Sequence, residues 1–237
     1  MPCVNAHGQS EVRFMKRKPL QILALIANLG IVFLVVLGTV QMMSGAADGA
    51  ALTARGLQAL RYFTVLSNLL MGVAALVYAI ALIKALRRDK ATVPVRAQVF
   101  LLAATASVGL TFLVVAGFFV PFLHAKDMFV GANFWFHLVV PLLSIVCYVL
   151  FDRFARMKKR ALLLVAVPML LYGLFYTANC LLNGVGDYSE GGVLNDWYWF
   201  LYWGYPVGVA FFAGLCAITV GLGALLRGLN QHHKKST

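Results

Sequence analysis

The sequence predicts an all-α polytopic membrane protein with six transmembrane helices and with the N-terminus and C-terminus both cytoplasmic. Three observations predict it. Of the 237 residues, 62% are hydrophobic and only 12% are charged. A soluble domain has about a quarter of its residues charged, so lipid rather than water has to cover this much apolar surface. The apolar residues fall into six runs, each long enough for a helix to cross a hydrocarbon core of about 30 Å. The basic residues collect in alternate connections, as the positive-inside rule requires.

Taken in order, the first run is Leu20 to Met43. Arg13, Lys16, Arg17 and Lys18 precede it, like the start of a signal peptide. The run exceeds the apolar length of a signal sequence, so it reads as a retained first span. The other runs are Leu57 to Ile83, Ala97 to Pro121, Phe134 to Phe151, Ala161 to Leu182, and Trp197 to Leu226. They are continuous rather than alternating, which fits helices and not barrel strands. Residues 1–19 form a basic tail, 20–226 the transmembrane domain, and 227–237 a second basic tail. No internal repeat and no Pro-, Gly- or Ser-rich linker divides the chain. The segment Asn183 to Asp196 reads as a flexible external connection. Tyr198, Trp199, Tyr202 and Trp203 then fall at interfacial depth, where aromatic rings anchor.

All Lys and Arg residues except Arg55, Arg61 and Lys126 fall in the two tails and the connections after runs two and four. Asp48, Asp127, Asp187, Glu190 and Asp196 lie with those three exceptions. The net charge of +12 is therefore explained by orientation and by contact with anionic headgroups. The basic residues form no separate domain, so nucleic acid is not an expected partner; membrane lipids are. Cys3, Cys147, Cys180 and Cys216 contain no CxxC pair and read as reduced thiols. His124, His232 and His233 do not combine with His137 at metal-ligand spacing. No mid-span lysine, paired deep histidines, P-loop or dinucleotide fingerprint is present, so no metal and no cofactor are expected.

Polar residues retained inside the spans carry the functional information. Near the start of run two, in RYFTVLSNLL, Arg61, Thr64 and Asn68 share one helical face, with Ser67 beside them. Near the start of run four, in NFWFHLVVPLLS, Asn133, His137, Pro141 and Ser144 share a face by the same spacing. Thr64 and His137 thus lie at matched depth on helices of the same direction. Tyr172, Tyr176, Asn179 and Asn183 form a stripe on run five, and Tyr198, Tyr202 and Tyr205 another on run six. Together they predict a polar pocket in the outer half of the membrane.

Such a pocket suits acyl transfer. His137 takes the proton of the Thr64 hydroxyl as it attacks, and Asn68, Arg61 or a tyrosine hydroxyl stabilises the oxyanion. Asn133, Tyr176 and Asn179 complete the substrate-binding or oxyanion candidates. The plainer readings are that Thr64 bonds its own carbonyl one turn back, that His137 is a satisfied interhelical donor, and that Asn28, Asn68 and Asn179 hold helices together. In the same vein, Arg61 snorkels and Pro121, Pro141, Pro168 and Pro206 only kink helices.

RYFTVLSNLL and FHLVVPLLSIVCYVLFD resemble the androgen-induced membrane hydrolases and their bacterial six-span relatives. The resemblance implies an intramembrane threonine hydrolase in a bacterial plasma membrane. Thr64 would be its nucleophile, His137 its base, and a lipid or fatty-acid ester its substrate; characterised eukaryotic members cleave fatty-acid esters of hydroxy fatty acids. Residues 195–206, NDWYWFLYWGYP, depart from the eukaryotic pattern, which leaves the acyl and alcohol parts open. Two other classes fit the same residues. A transporter or binding protein would place a small solute or lipid headgroup on the polar face, with His137 carrying a proton. An assembly protein would have a packed interior with no lipid-sized cavity.

Overall fold

The computed structural model of the chain describes residues 6–44, 56–123, 126–152, 155–189 and 194–232. His124, Arg55, Cys3, Asp48, Glu190 and His233, all used above, lie outside them. Six helices are long and apolar enough to cross a membrane: α1 (Lys18–Met43), α2 (Phe63–Arg87), α3 (Val95–Phe119), α4 (Ala132–Leu150), α5 (Lys159–Asn183) and α6 (Tyr205–Gln231). The α1 helix begins earlier, at Ala6, so the expected N-terminal tail is largely a helical extension of the first span.

α3 is the central helix. Of the residues in its most apolar stretch 72% are buried, against 22 to 44% in the other spans, and it packs on α2, α4, α5 and α6. Small residues bring the outer helices close. A Cβ on Gly72 of α2 would lie 2.9 Å from Val35 of α1, and one on Gly38 of α1 would lie 2.5 Å from the Phe136 ring of α4. The outward faces keep large apolar side chains such as Phe33, Val73, Leu174 and Leu225 exposed, which suits a lipid surround.

Hydrogen bonds define the two ends of the bundle. At one end Gln21 of α1 donates to the Lys90 carbonyl, and Arg227 and Gln231 of α6 donate to the Met157 carbonyl. This gathers the start of α1, the α2–α3 and α4–α5 connections, and the end of α6 into a basic end. At the other, aromatic end, Trp135 donates to Gln41 and Tyr172 donates to the Arg61 carbonyl.

Two spans contain π-helical turns, Val115–Phe119 in α3 and Trp135–Val139 in α4. Both precede a proline by the same interval. The Val120 N–H reaches the Val115 carbonyl just before Pro121, and the Val140 N–H reaches the Trp135 carbonyl just before Pro141. Proline lacks the N–H and crowds the preceding turn, and a widened turn relieves that crowding. In α4 the carbonyl of Phe136 loses both helical donors. Val140 is bonded to Trp135 instead, and Pro141 has nothing to donate. The other two expected kink sites differ: α5 breaks at Ala166, ahead of Pro168, and Pro206 sits in the first turn of α6.

Two spans start later than the sequence expectation. Run two was expected from Leu57, but Gly56–Arg61 is a separate 3-10 turn and α2 starts at Phe63. Run six was expected from Trp197, but residues 197–204 form a turn-rich cap and α6 starts at Tyr205. Trp199 (φ +59°) and Gly204 (φ +89°) adopt left-handed conformations that no helix accommodates. Tyr198 and Tyr202 therefore do not share a helical stripe with Tyr205.

Candidate functional site

Because Tyr62 is extended (φ −87°, ψ 134°), Thr64 is the second residue of α2. Hydroxyls deeper in these helices are absorbed by the carbonyl four residues back, as with Thr39, Thr105, Ser107 and Thr219. Among the described residues no such bond is found for Thr64, since its residue one turn back belongs to the preceding 3-10 turn. Ser67 faces Thr111 of α3 (3.1 Å) and Asn68 faces the Phe136 carbonyl of α4 (3.1 Å). At 100° per residue the Thr64 direction falls between those two, into the interior of the bundle.

The Thr64 side chain stands against the phenol of Tyr198. Both line a cavity of about 350 Å³, walled by Phe63, Leu110, Thr111, Met169, Tyr172, Phe200 and Phe211 among others. Its wall includes Leu113, Phe118, Phe211 and Ile218, which are exposed on the outside of the bundle. A bilayer would thus meet the cavity at the α3–α6 face. The Tyr198 hydroxyl accepts the Phe63 N–H at 3.1 Å. Burial, foremost, pushes the Tyr198 phenol well above its ordinary value, so it keeps its proton.

His137 lies within the π-turn of α4 and is 1% exposed. Its Nδ1 is 2.7 Å from the Met128 carbonyl. A carbonyl only accepts, so Nδ1 carries the proton and Nε2 keeps a lone pair. This fixes the tautomer that a general base needs. Among the described residues no hydrogen bond joins the His137 ring to the Thr64 hydroxyl. The link between the two segments is Asn68, whose Nδ2 donates to the Thr64 carbonyl (2.8 Å) and to the Phe136 carbonyl (3.1 Å). Asn68 supplies the donor that the π-turn and Pro141 withhold. Both of its N–H groups are thereby used, so it positions the two helices and has no donor left for an oxyanion.

Around His137, several buried polar atoms have no partner among the described residues: Oδ1 of Asn68, both side-chain polar atoms of Asn133, and Oγ of Ser144. Asn133, His137, Pro141 and Ser144 are all buried, as their shared spacing predicts. Unpartnered polar atoms are uncommon in protein interiors and costly at membrane depth.

The other candidates lie apart from this centre. Arg61 ends the 3-10 turn and does not extend the Thr64–Asn68 face. Its guanidinium donates to Tyr62 (2.8 Å) and lies over the rings of Tyr62 and Trp197 at 4.9 and 5.6 Å. It is caged by aromatics rather than snorkelling. Tyr176 is fully buried; its hydroxyl donates to Asp196 and accepts the Tyr198 N–H (3.0 Å). Asn179 accepts from Asn183 at 3.0 Å and its side chain also neighbours the Cys180 thiol.

Three features were read only in part or not at all from the sequence. Tyr198, expected both as an interfacial anchor and on the polar stripe of run six, lines the Thr64 cavity, but from the cap rather than from a helix. Asp196, expected in a flexible external loop, is fully buried and accepts from Tyr176, Tyr188 (2.6 Å) and the Leu201 N–H (2.9 Å). The 183–196 connection is likewise tied down where described: Asn195 donates to the Asn183 and Gly184 carbonyls.

The third is a polar knot at the basic end. Asp152 is buried; Asn28 of α1 donates to its carboxyl (2.9 Å). Gln98 of α3 and Asn230 of α6 donate to its carbonyl, and Tyr78 of α2 donates to Gln98 (2.8 Å). Five helices meet there and cap the end of α4. Burial pushes the Asp152 carboxyl well above the usual carboxylate range. Its place beside a basic connection gives no sign of this burial in the sequence alone.

Cys147 and Cys180 are buried free thiols and Cys216 is a half-buried one. Among the described residues no three His, Cys, Asp or Glu side chains group as metal ligands. Compared with protein-family models, curated proteins and solved structures, the chain finds no match in any of the three.

Proposed function

We propose that the chain is an intramembrane threonine hydrolase of a lipid or fatty-acid ester, with Thr64 as nucleophile and His137 as general base. The observation that carries this reading is the Thr64 hydroxyl: not back-bonded, and set in the wall of an apolar cavity of about 350 Å³ beside Tyr198. A cavity of that size falls at the lower end of small-ligand sites. The His137 tautomer, with Nε2 unprotonated, is the second support. We assign the aromatic end to the outer leaflet, and the basic end with both termini to the cytoplasm of a bacterial plasma membrane.

The acyl chain of the ester lies along Phe63, Leu110 and Phe200. The Thr64 oxygen attacks the carbonyl carbon as its proton passes to His137 Nε2, directly or through one water. The tetrahedral oxyanion takes as donor the Tyr198 O–H, which in the unliganded site neighbours the Tyr172 and Thr64 hydroxyls. The ester C–O bond breaks, the alcohol leaves with the proton from His137, and an acyl-threonine remains. Water, deprotonated by His137, then cleaves it to a fatty acid and free Thr64. Asn68 holds the two helices in register.

The binding or transport reading draws on the unpartnered Asn133 and Ser144 near His137. Against it, the buried positions between this polar layer and the Asp152 knot are mostly apolar: Met71, Ala74 and Ala75 on α2, Leu101 and Leu102 on α3, and Cys147 on α4. A cavity beside Thr64 weighs against a purely structural protein.

The test is labelling of the purified protein with a fluorophosphonate probe, with turnover of medium-chain nitrophenyl esters measured in parallel. The reading expects labelling of the wild type, its loss in Thr64→Ala, and strong reduction in His137→Ala, with all three folded. Undiminished labelling and turnover in Thr64→Ala, or neither in the folded wild type, would sink it.

A further inference from the structure

A second surface, far from Thr64, has the chemistry of a lipid site. At the basic end a groove of about 910 Å³ runs between the start of α3 and the start of α5. Four cations line its mouth: Arg96, Arg156, Lys158 and Arg160. All four are exposed, and among the described residues none has a carboxylate or hydrogen-bonding partner. Among the described residues no Asp or Glu lines the groove. Four unpaired cations with no neutralising acid repel one another unless an anion joins them.

Below the cations the walls turn apolar, with Val99 and Phe100 on one side and Leu164 and Pro168 on the other. The groove continues into a second of about 260 Å³ that shares Leu70, Pro168 and Leu171 and reaches Phe63, Tyr172 and Phe175. From Arg160 to Tyr172 the α5 helix rises roughly 18 Å, slightly more than one leaflet's share of a hydrocarbon core about 30 Å thick. Cations at headgroup depth above an apolar trough one leaflet long match one kind of occupant.

We infer that this groove binds an anionic phospholipid of the leaflet at the basic end, its phosphate on Arg96, Arg156, Lys158 and Arg160 and an acyl chain along α5. A free anion does not use the trough, and a zwitterionic lipid does not neutralise the mouth. The inference rests on the six-span membrane reading but not on ester hydrolysis. The same trough ends at Phe63 and Tyr172, which also line the Thr64 cavity. A bound lipid would therefore touch the wall of that cavity from behind.

The experiment is native mass spectrometry of the full chain released from nanodiscs of equal phosphatidylglycerol and phosphatidylcholine. It compares the wild type with the triple variant R156Q/K158Q/R160Q. A second triple variant, K84Q/R88Q/K90Q, removes equal charge from the neighbouring basic groove. Leu171→Trp blocks the trough at an exposed position without changing charge. The wild type is expected to retain phosphatidylglycerol preferentially. Retention should fall by about tenfold or more in R156Q/K158Q/R160Q, should fall in Leu171→Trp, and should persist in K84Q/R88Q/K90Q. Equal losses in the two triple variants would mean diffuse surface charge and overturn the inference. So would no preference for the anionic lipid, full retention in Leu171→Trp, or displacement of the lipid by millimolar inorganic phosphate alone.

Discussion

The π-turn at His137 makes a quantitative prediction about Asn68. The Phe136 carbonyl has no helical donor, because Val140 bonds to Trp135 and position 141 is proline; Asn68 Nδ2 supplies one at 3.1 Å. Asn68→Ala leaves that carbonyl buried and unpaired. A net hydrogen bond contributes about 1 kcal/mol and an orphaned buried group costs about 1–3 kcal/mol, while interhelical bonds in membranes run lower. The expected loss is about 1–3 kcal/mol, since the Thr64 carbonyl keeps the Ser67 hydroxyl at 3.1 Å. Pro141→Ala restores an N–H one turn ahead of Phe136. In the wild-type background that donor has little to gain. In the Asn68→Ala background it, or the relaxed α-turn it permits, re-satisfies the carbonyl. The two substitutions should therefore couple by about 1 kcal/mol in a double-mutant cycle, measured by reversible unfolding in mixed detergent–SDS micelles. The packing loss at Pro141 appears in both backgrounds and cancels. Additivity within about 0.3 kcal/mol would refute the account of Asn68 as the missing helical donor.

Other consequences follow from particular contacts. Tyr198→Phe keeps the cavity wall but removes the oxyanion donor, so kcat should fall about a hundredfold with KM nearly unchanged; a loss under threefold excludes that role. Gly38→Ala places a Cβ 2.5 Å from the Phe136 ring, which should cost about 1–3 kcal/mol in the same unfolding assay. Gly30→Ala, with nothing within 4 Å, is the control and should be near neutral. Asp152 has a folded pKa above its unfolded one, so the folded state holds the extra proton. Stability should then be greatest at low pH and decline as pH rises from the ordinary carboxylate range toward the raised value. Asp152→Asn should remove that slope. A pH-independent wild type, or an unchanged slope in the Asn variant, contradicts the neutral knot.

The six spans were legible because a continuous apolar run has few alternatives to a membrane helix. Their ends were less so. Hydropathy reports depth rather than hydrogen bonding, so Leu57 and Trp197 read as span starts although the helices begin at Phe63 and Tyr205. The start of α2 alters the site itself. It removes Arg61 from the Thr64–Asn68 face and leaves the Thr64 hydroxyl free of a back-bond. The paired turns before Pro121 and Pro141 were present in the sequence as two Val-Pro steps, but the consequence for Phe136 needs the three-dimensional partner. Asp152 and Asp196 were hidden for a common reason. An acid near a span end looks like surface charge until the helices that enclose it, α1, α3 and α6 in one case and the α5–α6 cap in the other, are assembled.

The most direct measurement is the position of the covalent label. Wild-type protein treated with the fluorophosphonate would be digested, and the modified residue located by tandem mass spectrometry. The account predicts a single phosphonylated site at Thr64, absent when His137 is replaced by alanine in folded protein. Modification at Ser67, Ser144 or Tyr198, with Thr64 untouched, would contradict the assignment of Thr64 as nucleophile.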